Sequence, residues 1–190
     1  MHDTITYNGL RAILYACSIL VFGSFGWAVK KHFISRSMPR GMAVISAVSL
    51  IAFVIYTVEL WSHQRSAEFL LAGLTMHAIS ASVFYFCIKA TRQYRLTLAF
   101  DHDTPTFILS KGPYRFARHP FYLSYAVFWL GCVASTGSVL MAGATSILIA
   151  IYVIAAKAEE RKFEKSDESL AYRDYTRSTG MFWPVIWKKP

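Results

Sequence analysis

Long stretches without a single charged side chain dominate this sequence of 190 residues. Three of them, at 12–29, 41–58 and 69–88, hold 18, 18 and 20 residues, and a fourth runs for 37 residues from 120 to 156. A helix needs about 20 mostly apolar residues to cross the hydrocarbon core of a bilayer, which is about 30 Å thick. Each of the first three stretches therefore predicts one membrane-spanning helix.

The fourth stretch is too long for one span and contains a turn signal. Ser135-Thr136-Gly137-Ser138 lies near its middle, and glycine and serine cluster where helices stop. The stretch therefore predicts two spans joined by a tight turn, a helical hairpin. The predicted fold class is an all-α polytopic membrane protein, a single membrane domain over 1–190 with a cytoplasmic loop and a C-terminal helix. Its five spans are predicted at about 11–29, 41–61, 69–89, 120–135 and 139–157.

The basic residues are distributed asymmetrically about these spans. Of the 20 Lys and Arg residues, 18 fall on one side of the predicted bundle, and only Arg11 and Arg65 fall on the other. Lys and Arg in short loops are retained in the cytoplasm. The pattern predicts a multi-pass protein of the bacterial inner membrane or endoplasmic reticulum, with the N-terminus outside and the C-terminus in the cytoplasm.

The net charge of +9 raises the question of a nucleic-acid partner. This charge lies in loops beside the membrane rather than on a soluble basic domain. Anionic headgroups of the lipid bilayer are therefore the expected neighbours, and no nucleic acid is expected. Only 16% of the residues are charged, against about a quarter in a soluble domain, which agrees with a membrane protein.

Two polar segments, 90–119 and 157–190, face the cytoplasm in this topology. The first is longer than a connection between neighbouring helices requires, and its apolar run at 106–109 followed by a Gly-Pro turn indicates a structured loop that packs on the bundle. The second begins as a continuation of the fifth span. Its aromatic and lysine residues at 181–189 are typical of an anchor at the membrane interface, which predicts that the tail returns and covers whatever lies beneath it.

Two clusters of reactive side chains border the predicted hairpin. Arg118, His119 and Tyr122 lie at the start of the fourth span, where Pro120 suits the first turn of a helix. A helix start with an interfacial Arg and Tyr would have the same pattern. The acid pair Glu159-Glu160 ends the fifth span, although acids at a helix C-terminus oppose the helix dipole. These acids either pair with the neighbouring bases Lys157, Arg161 and Lys162 or meet the first cluster across the hairpin to hold a small ligand.

Two further candidates are weaker. Asp101-His102-Asp103 has metal-ligand chemistry, but three adjacent residues do not readily reach one ion, so a solvated loop is favoured and no metal is predicted. His77 lies in the middle of the third span, where an ionisable residue is a functional candidate. A neutral histidine bonded to a neighbouring helix fits equally well, and His77 is left out of the predicted site.

An ordered series of motifs then suggests a family. The series resembles the isoprenylcysteine carboxyl methyltransferases and the related phospholipid methyltransferases, and it covers roughly residues 90–187. It consists of Gly112-Pro113-Tyr114-Arg115-Phe116-Ala117-Arg118-His119-Pro120-Phe121-Tyr122, then Glu159-Glu160, then Tyr172-Arg173-Asp174-Tyr175 before Trp183-Pro184.

The resemblance implies a methyltransferase that uses S-adenosylmethionine without a Rossmann domain, and the chain contains no glycine-rich dinucleotide-binding fingerprint. It also implies Arg118 and His119 as catalytic residues within a cofactor-binding region at about 90–187. A Glu suits the ammonium group of the cofactor, and aromatic faces suit its sulfonium and adenine. The cofactor-binding residues implied by the resemblance are Thr106, Phe107, Ile108, Leu109, Tyr114, His119, Pro120, Tyr122, Glu159 and Glu160.

The methyl acceptor is expected to be lipophilic or a small membrane-partitioning molecule with a carboxylate, amine or thiol. Isoprenylcysteine enzymes carry an Arg about one turn before the acid pair, where this chain has Ile154-Ala155-Ala156, so a prenylcysteine substrate is not implied. The alternative functions are a membrane reductase that uses a reduced nicotinamide, and a transporter or lipid-binding protein without chemistry.

Overall fold

The chain folds into a helical bundle without strands in the part that the structure describes. The computed structural model describes residues 2–33, 35, 38–94, 96, 100–101 and 107–183. Six α-helices follow one another, with a 3-10 turn at Gly112–Arg115 between the third and the fourth. They are α1 (His2–Lys31), α2 (Arg40–Ser62), α3 (Ala67–Thr91), α4 (Pro120–Thr136), α5 (Val139–Glu164) and α6 (Ser169–Ser178).

Four of these helices, α1, α2, α3 and α5, are long and apolar enough to cross a membrane. The predicted all-helical membrane fold is therefore confirmed. The remaining predicted span is α4, whose 17 residues give a length of about 25 Å. The count of five spans stays a prediction.

Although α4 has only 17 residues, it runs from one end of the bundle to the other. At its C-terminal end the Thr136 carbonyl accepts a hydrogen bond of 2.6 Å from Nε of Arg65 in the turn between α2 and α3. The Arg65 backbone N–H donates to the hydroxyl of Tyr7, near the start of α1. At the other end, the Phe121 ring lies 5.2 Å from the ring of Phe33, just beyond α1. The helix therefore reaches from the turn between α2 and α3 to the end of α1, although it has fewer residues than α3 and α5.

The ends of α4 follow from its sequence. It begins at Pro120 and stops at Gly137, which has a left-handed φ of 56°, a conformation that costs glycine little. Ser138 then caps α5, because its hydroxyl accepts a hydrogen bond of 3.2 Å from the backbone N–H of Met141. The prediction of a hairpin with a tight turn is confirmed.

Small residues bring α3 and α4 into close contact. A Cβ placed on Gly73 would lie 2.6 Å from Cβ of Ser135 and 3.0 Å from the Gly131 carbonyl oxygen. A Cβ on Gly131 would lie 3.0 Å from Met76 Cβ and His77 Cδ2. Small residues at helix contacts are typical of membrane proteins, since they allow backbones to approach. This interface fixes the position of α4.

His77 is fully buried at the same interface and bonded to neighbouring helices. The Ser18 hydroxyl donates to the Leu14 carbonyl and lies 2.9 Å from Tyr56 Oη and 3.2 Å from His77 Nδ1. Because Ser18 has only one hydroxyl hydrogen, both Tyr56 and His77 Nδ1 must donate to it. His77 Nε2 is then free to accept from the Cys132 thiol at 3.6 Å. The histidine is a neutral polar contact among α1, α2, α3 and α4.

The loop before α4 packs on the bundle where the structure describes it. Leu109 and Tyr114 are buried, and the Phe107 ring stacks on Tyr94 at 5.1 Å. The prediction of a structured, packed loop is confirmed for these residues. Thr106, and His102 and Asp103 of the possible metal motif, lie outside the described residues.

Candidate active site

Five of the predicted site residues meet where α4 begins and α5 ends. The turn at Gly137 makes α4 and α5 antiparallel neighbours, so the residue before α4 faces the last turns of α5. Arg118 Nε lies 2.8 Å from Glu160 Oε1. His119 lies between the acids, with Nε2 3.1 Å from Glu160 Oε1 and Nδ1 3.5 Å from Glu159 Oε2. Tyr122 Oη donates to Glu159 Oε1 at 2.5 Å. We call these five residues the acid–imidazole cluster.

The two acids of this cluster have different surroundings. Glu160 is paired with a guanidinium and an imidazole, and its side chain is 16% exposed. Glu159 is 30% exposed, and its closest partner is the neutral phenol of Tyr122. The charge of Glu160 is therefore balanced within the cluster. The carboxylate of Glu159 is the more accessible of the two and can contact a ligand.

Glu159 and Glu160 do not take their partners from the neighbouring bases of α5, which was the alternative prediction. Glu159 and Glu160 pair with side chains from the start of α4. Lys162 Nζ donates to the backbone carbonyl of Asp101 in the loop before α4. The acids thus oppose the dipole of α5 because they meet charges on another element.

The acids around His119 favour its protonated form. Its side chain is only 9% exposed, and burial disfavours the imidazolium. Hydrogen bonds and Coulombic attraction from Glu159 and Glu160 outweigh that burial and raise the pKa of His119 above its ordinary value of 6.5. When it is protonated, His119 can donate from both ring nitrogens to the two acids, which holds them in fixed positions.

This charge state predicts a pH dependence of stability. A pKa that is raised in the folded state contributes stability below the unfolded value, and this contribution is lost as the pH rises through the folded value. We expect the stability difference between the wild type and His119→Gln to be largest below pH 6.5, the ordinary pKa of histidine, and to shrink as the pH rises above that value. Thermal unfolding in nanodiscs across this range measures it.

His63→Gln is the matched control for this prediction. His63 is exposed at the opposite end of the bundle, where it contacts Glu59 at 3.7 Å. Its substitution should leave the pH profile close to that of the wild type. A wild-type advantage over His119→Gln that grows with pH would contradict the protonated state of His119.

Aromatic rings continue from the cluster into the bundle. Tyr122 stacks on Tyr152 of α5, with ring centroids 5.7 Å apart and planes at 11°. Tyr152 Oη accepts a hydrogen bond of 3.0 Å from Trp129 Nε1, and Tyr125 packs against Tyr152 at 5.8 Å. Sequence reasoning missed Tyr125 and Tyr152. Their spacing from predicted residues is a usable signal, since Tyr125 follows Tyr122 by three positions and Tyr152 precedes Glu159 by seven, each on a shared helix face.

The C-terminal tail covers the cluster. Backbone N–H groups of Arg118 and His119 donate to the carbonyls of Gly180 and Met181 at 2.8 and 3.0 Å. Arg118 Nη1 donates to the Thr179 carbonyl, and the Phe182 ring lies 6.2 Å from the His119 ring. The described part of the tail thus lies where the sequence predicted a cover, although 184–189 of the predicted anchor lie outside the described residues. The backbone contacts themselves have no signal in the sequence.

Arg118 joins the tail to the acids, so its removal should loosen the tail. We expect Arg118→Ala to raise the rate of tryptic cleavage after the exposed Arg177 about fivefold. The variant loses the hydrogen bond from the guanidinium to the Thr179 carbonyl, and a hydrogen bond contributes about 1 kcal/mol to stability. The cleavage rate of the purified protein measures this. Arg115→Ala removes the same charge from an exposed position of the same loop and should leave the rate unchanged. Equal rates for both variants would show that Arg118 does not hold the tail.

The other predicted site residues divide into two groups. Tyr114 is buried, and its backbone carbonyl accepts a hydrogen bond of 2.6 Å from the Tyr175 hydroxyl. The Tyr114 phenol also interacts electrostatically with Glu159. Burial first, with Glu159 adding to it, raises the pKa of the Tyr114 phenol well above its ordinary value. Pro120 is buried as the first residue of α4. Within the described residues, no hydrogen bond or ring contact joins Phe107, Ile108 or Leu109 to the acid–imidazole cluster.

The comparison with protein families decides what kind of protein this geometry belongs to. A family model described as phospholipid methyltransferase matches residues 69–166, which is just over half of the chain. The chain belongs to the phospholipid methyltransferase family. Neither the curated proteins nor the solved structures that were compared include a significant match.

The family assignment confirms the resemblance predicted from the motifs. The matched range runs from α3 to the end of α5 and includes all five residues of the acid–imidazole cluster. A phospholipid methyltransferase family member with four helices apolar enough to span a membrane is a membrane methyltransferase. The matched range excludes α1, α2 and the tail that covers the cluster.

Proposed function

We propose that the protein transfers a methyl group from S-adenosylmethionine to a lipophilic or small membrane-partitioning acceptor. The observation that supports this most directly is Glu159, a partly exposed carboxylate held by Tyr122 and His119 inside the range that matches the family. A fixed carboxylate beside aromatic faces suits a ligand that carries an ammonium and a sulfonium.

The residues present fit the chemical groups of this cofactor. Glu159 suits the ammonium. Tyr122 and Tyr152 stack on each other, so the aromatic face that suits the sulfonium or the adenine is the partly exposed ring of Phe182, 6.2 Å from the His119 ring. The carboxylate needs donors, and the suitable ones are the Arg118 guanidinium and the backbone N–H groups of Arg118 and His119. These donors now bond to Glu160 and to the tail, so binding of the carboxylate requires the tail to shift.

In the proposed mechanism the protein aligns and encloses the reactants. When bound, S-adenosylmethionine supplies an electrophilic methyl group on sulfur. Glu160 and Arg118 fix His119, and His119 with Tyr122 fixes Glu159, so the ammonium is held in one place. The tail residues from Thr179 to Phe182 exclude water from above. Alignment and exclusion of water suffice for an in-line displacement and leave few groups that must react. In this proposal the His119 side chain is a positioning residue, while Arg118 both positions Glu160 and supplies a donor for the carboxylate of the cofactor.

The proposed topology places the cluster at the cytoplasmic end of the bundle, where the water-soluble cofactor is available. It follows from the distribution of Lys and Arg. The acceptor then approaches from the bilayer, because the outward faces of the long helices are apolar and exposed, as at Leu20, Ile51 and Ile147.

Calorimetry with purified protein tests the proposed cofactor. We expect binding of S-adenosylhomocysteine and no binding of NADPH, which is the cofactor of the alternative membrane reductase. The titration should be repeated with Phe182→Ala, which trims the tail over His119 without touching the acids. Tight binding of NADPH without binding of S-adenosylhomocysteine would overturn the proposal.

A further inference from the structure

Trp129 lies in the middle of α4, and its side chain is buried. The indole packs edge-to-face against Phe22 of α1, with ring centroids 5.7 Å apart, and against the neighbouring Phe128 at 5.0 Å. An indole has one N–H donor and no acceptor. This donor bonds to the Tyr152 hydroxyl of α5 at 3.0 Å. The whole hydrogen-bonding capacity of Trp129 is therefore directed at a ring that lies next to the candidate site.

Trp129 belongs to a column of side chains that alternate between α4 and α5. Tyr122 and Trp129 are seven positions apart on α4, and Tyr152 and Glu159 are seven apart on α5, so each pair lies about two turns apart on one helix face. The antiparallel hairpin interleaves the two pairs. Glu159 accepts from Tyr122, Tyr122 stacks on Tyr152, and Tyr152 accepts from Trp129. We call these four residues the hairpin column.

Two nearly parallel rings support Tyr122 in this column. The His119 ring lies 5.7 Å from the Tyr122 ring with planes at 25°, and the Tyr152 ring lies 5.7 Å from it with planes at 11°. The oxygen of a phenol lies in the plane of its ring. A shift of the Tyr122 ring therefore redirects the hydroxyl that donates to Glu159. The support from Tyr152 is the one that reaches into the interior of the hairpin.

The position of Tyr152 depends in turn on Trp129. The Tyr152 hydroxyl is at the tip of its side chain, where a small rotation about the side-chain torsions causes the largest displacement. A hydrogen bond at the tip restrains these rotations, because such bonds weaken steeply when their geometry departs from linear. Removal of the indole N–H leaves the tip of Tyr152 without this restraint and lets the stacked Tyr122 ring move with it.

We infer that Trp129 is a positioning residue for the proposed cofactor site. Its N–H fixes Tyr152, and Tyr152 supports the ring of Tyr122. Tyr122 then holds the Glu159 carboxylate in the direction that meets the ammonium of the cofactor. This assignment rests on the proposed function and adds a residue about 10 Å along α4 from Tyr122. It extends the functional part of the hairpin from the acid–imidazole cluster into the middle of α4.

Calorimetry with S-adenosylhomocysteine tests this role on variants purified in nanodiscs. Trp129→Phe keeps a buried ring and removes the donor, whereas Tyr152→Phe keeps the stacked ring and removes the acceptor. Each variant loses the same hydrogen bond, so we expect each to bind the ligand about three- to tenfold more weakly than the wild type. The double variant should bind about as weakly as the weaker single variant, because the bond can be lost only once.

Tyr122→Phe supplies the background that separates positioning from a general loosening of the bundle. This variant lacks the hydroxyl that donates to Glu159, so the position of Tyr152 no longer acts on the carboxylate through that bond. We expect Trp129→Phe to change the affinity of the Tyr122→Phe protein by less than about twofold. A buried indole that merely needs a partner for stability would lower the affinity by the same factor in both backgrounds.

Tyr56→Phe is the matched control for the loss of a buried hydrogen bond. Tyr56 is fully buried, and its hydroxyl lies 2.9 Å from the Ser18 hydroxyl, outside the hairpin column. This variant should be less stable to heat than the wild type but should bind S-adenosylhomocysteine with wild-type affinity. If Trp129→Phe does not fold, Tyr152→Phe makes the same comparison in both backgrounds.

The outcomes separate this inference from the proposed function. If the wild type binds S-adenosylhomocysteine but Trp129→Phe and Tyr152→Phe bind it equally well, Trp129 does not position the site. An equal loss of affinity with and without the Tyr122 hydroxyl also overturns the inference and leaves the proposed function intact. If the wild type fails to bind the ligand, the proposed function is wrong and the role of Trp129 falls with it.

Discussion

Glu159→Gln is expected to weaken binding of S-adenosylhomocysteine by roughly 10- to 100-fold. The substitution keeps the shape of the side chain and removes its charge, and a hydrogen bond to a charged group contributes about 1.5–3 kcal/mol. Glu159 is the acid of the pair with the larger exposure; its closest partner, Tyr122, is neutral, and its contact with His119 is the longer one at 3.5 Å. Calorimetry with the purified variant measures the loss. Methyl transfer should fall at least in parallel, because a misplaced donor is no longer aligned.

Glu160→Gln should have a different effect, since Glu160 holds Arg118 and His119. Its removal leaves Arg118 without an acidic partner and His119 with Glu159 alone. Removing one member of a fully buried ion pair costs about 3–5 kcal/mol, and the partial exposure of both groups makes the cost smaller here. We expect lower thermal stability and a looser tail, with weaker binding as a secondary effect. Glu164→Gln removes an exposed acid one turn further along α5 and serves as the control for charge. Normal binding by Glu159→Gln together with a stable protein that has lost binding in Glu160→Gln would assign the ammonium to the other acid.

The sequence predicted the helices because the bilayer imposes a strong requirement. A charge-free run of 18 or more residues has few alternatives to a spanning helix, and Pro120 and Gly137 set the ends of α4 by backbone chemistry that does not depend on context. The helix α1 begins at His2, nine residues before the predicted span at about 11–29. Polar residues outside the hydrocarbon still continue a helix, and hydropathy does not detect them.

The sequence predicted which residues of the candidate site lie at the same end of the hairpin, but not how their side chains pair. Once α4 and α5 are antiparallel, His119 and Glu160 must lie at the same end, and the structure places them 3.1 Å apart. The separation of the acids into an anchored Glu160 and an available Glu159 was not predictable, because it depends on side-chain directions. The contacts of Gly180 and Met181 with the loop are backbone hydrogen bonds. Every residue except proline has the backbone N–H that such a bond requires. The order of side chains in the sequence therefore does not predict these contacts.

Gly73→Val is expected to destabilise the bundle strongly, because Gly73 lies where α3 and α4 are in close contact. A Cβ at this position would lie 2.6 Å from Ser135 Cβ and 3.0 Å from the Gly131 carbonyl. The second contact is with backbone, which cannot rotate away. Inserting carbon atoms into a packed interface costs about 1–3 kcal/mol or more, so we expect the free energy of unfolding to fall by about 3 kcal/mol.

Gly143→Ala is the control for replacing a helical glycine. A Cβ there has no heavy atom within 4 Å, and alanine is favoured over glycine in a helix by about 1 kcal/mol. We expect this variant to be as stable as the wild type or slightly more stable. Reversible unfolding in mixed micelles gives both values on the same scale. A Gly73→Val protein as stable as Gly143→Ala would mean that α3 and α4 pack less closely than the structure shows.

Loss of the α3–α4 contact should also reach the candidate site, because α4 carries Tyr122 and is preceded by His119. A bulkier residue 73 pushes α4 away from α3 at the end remote from the acid–imidazole cluster, and the helix can tilt about its contacts with α5. Tyr122 Oη and Glu159 are only 2.5 Å apart, so a tilt that moves Tyr122 by about 1 Å would break this bond. We therefore expect the Gly73→Val protein that remains folded to bind S-adenosylhomocysteine more weakly, although residue 73 contacts none of the site residues. Unchanged affinity in a destabilised Gly73→Val protein would show that α5 and the tail position the cluster without α3.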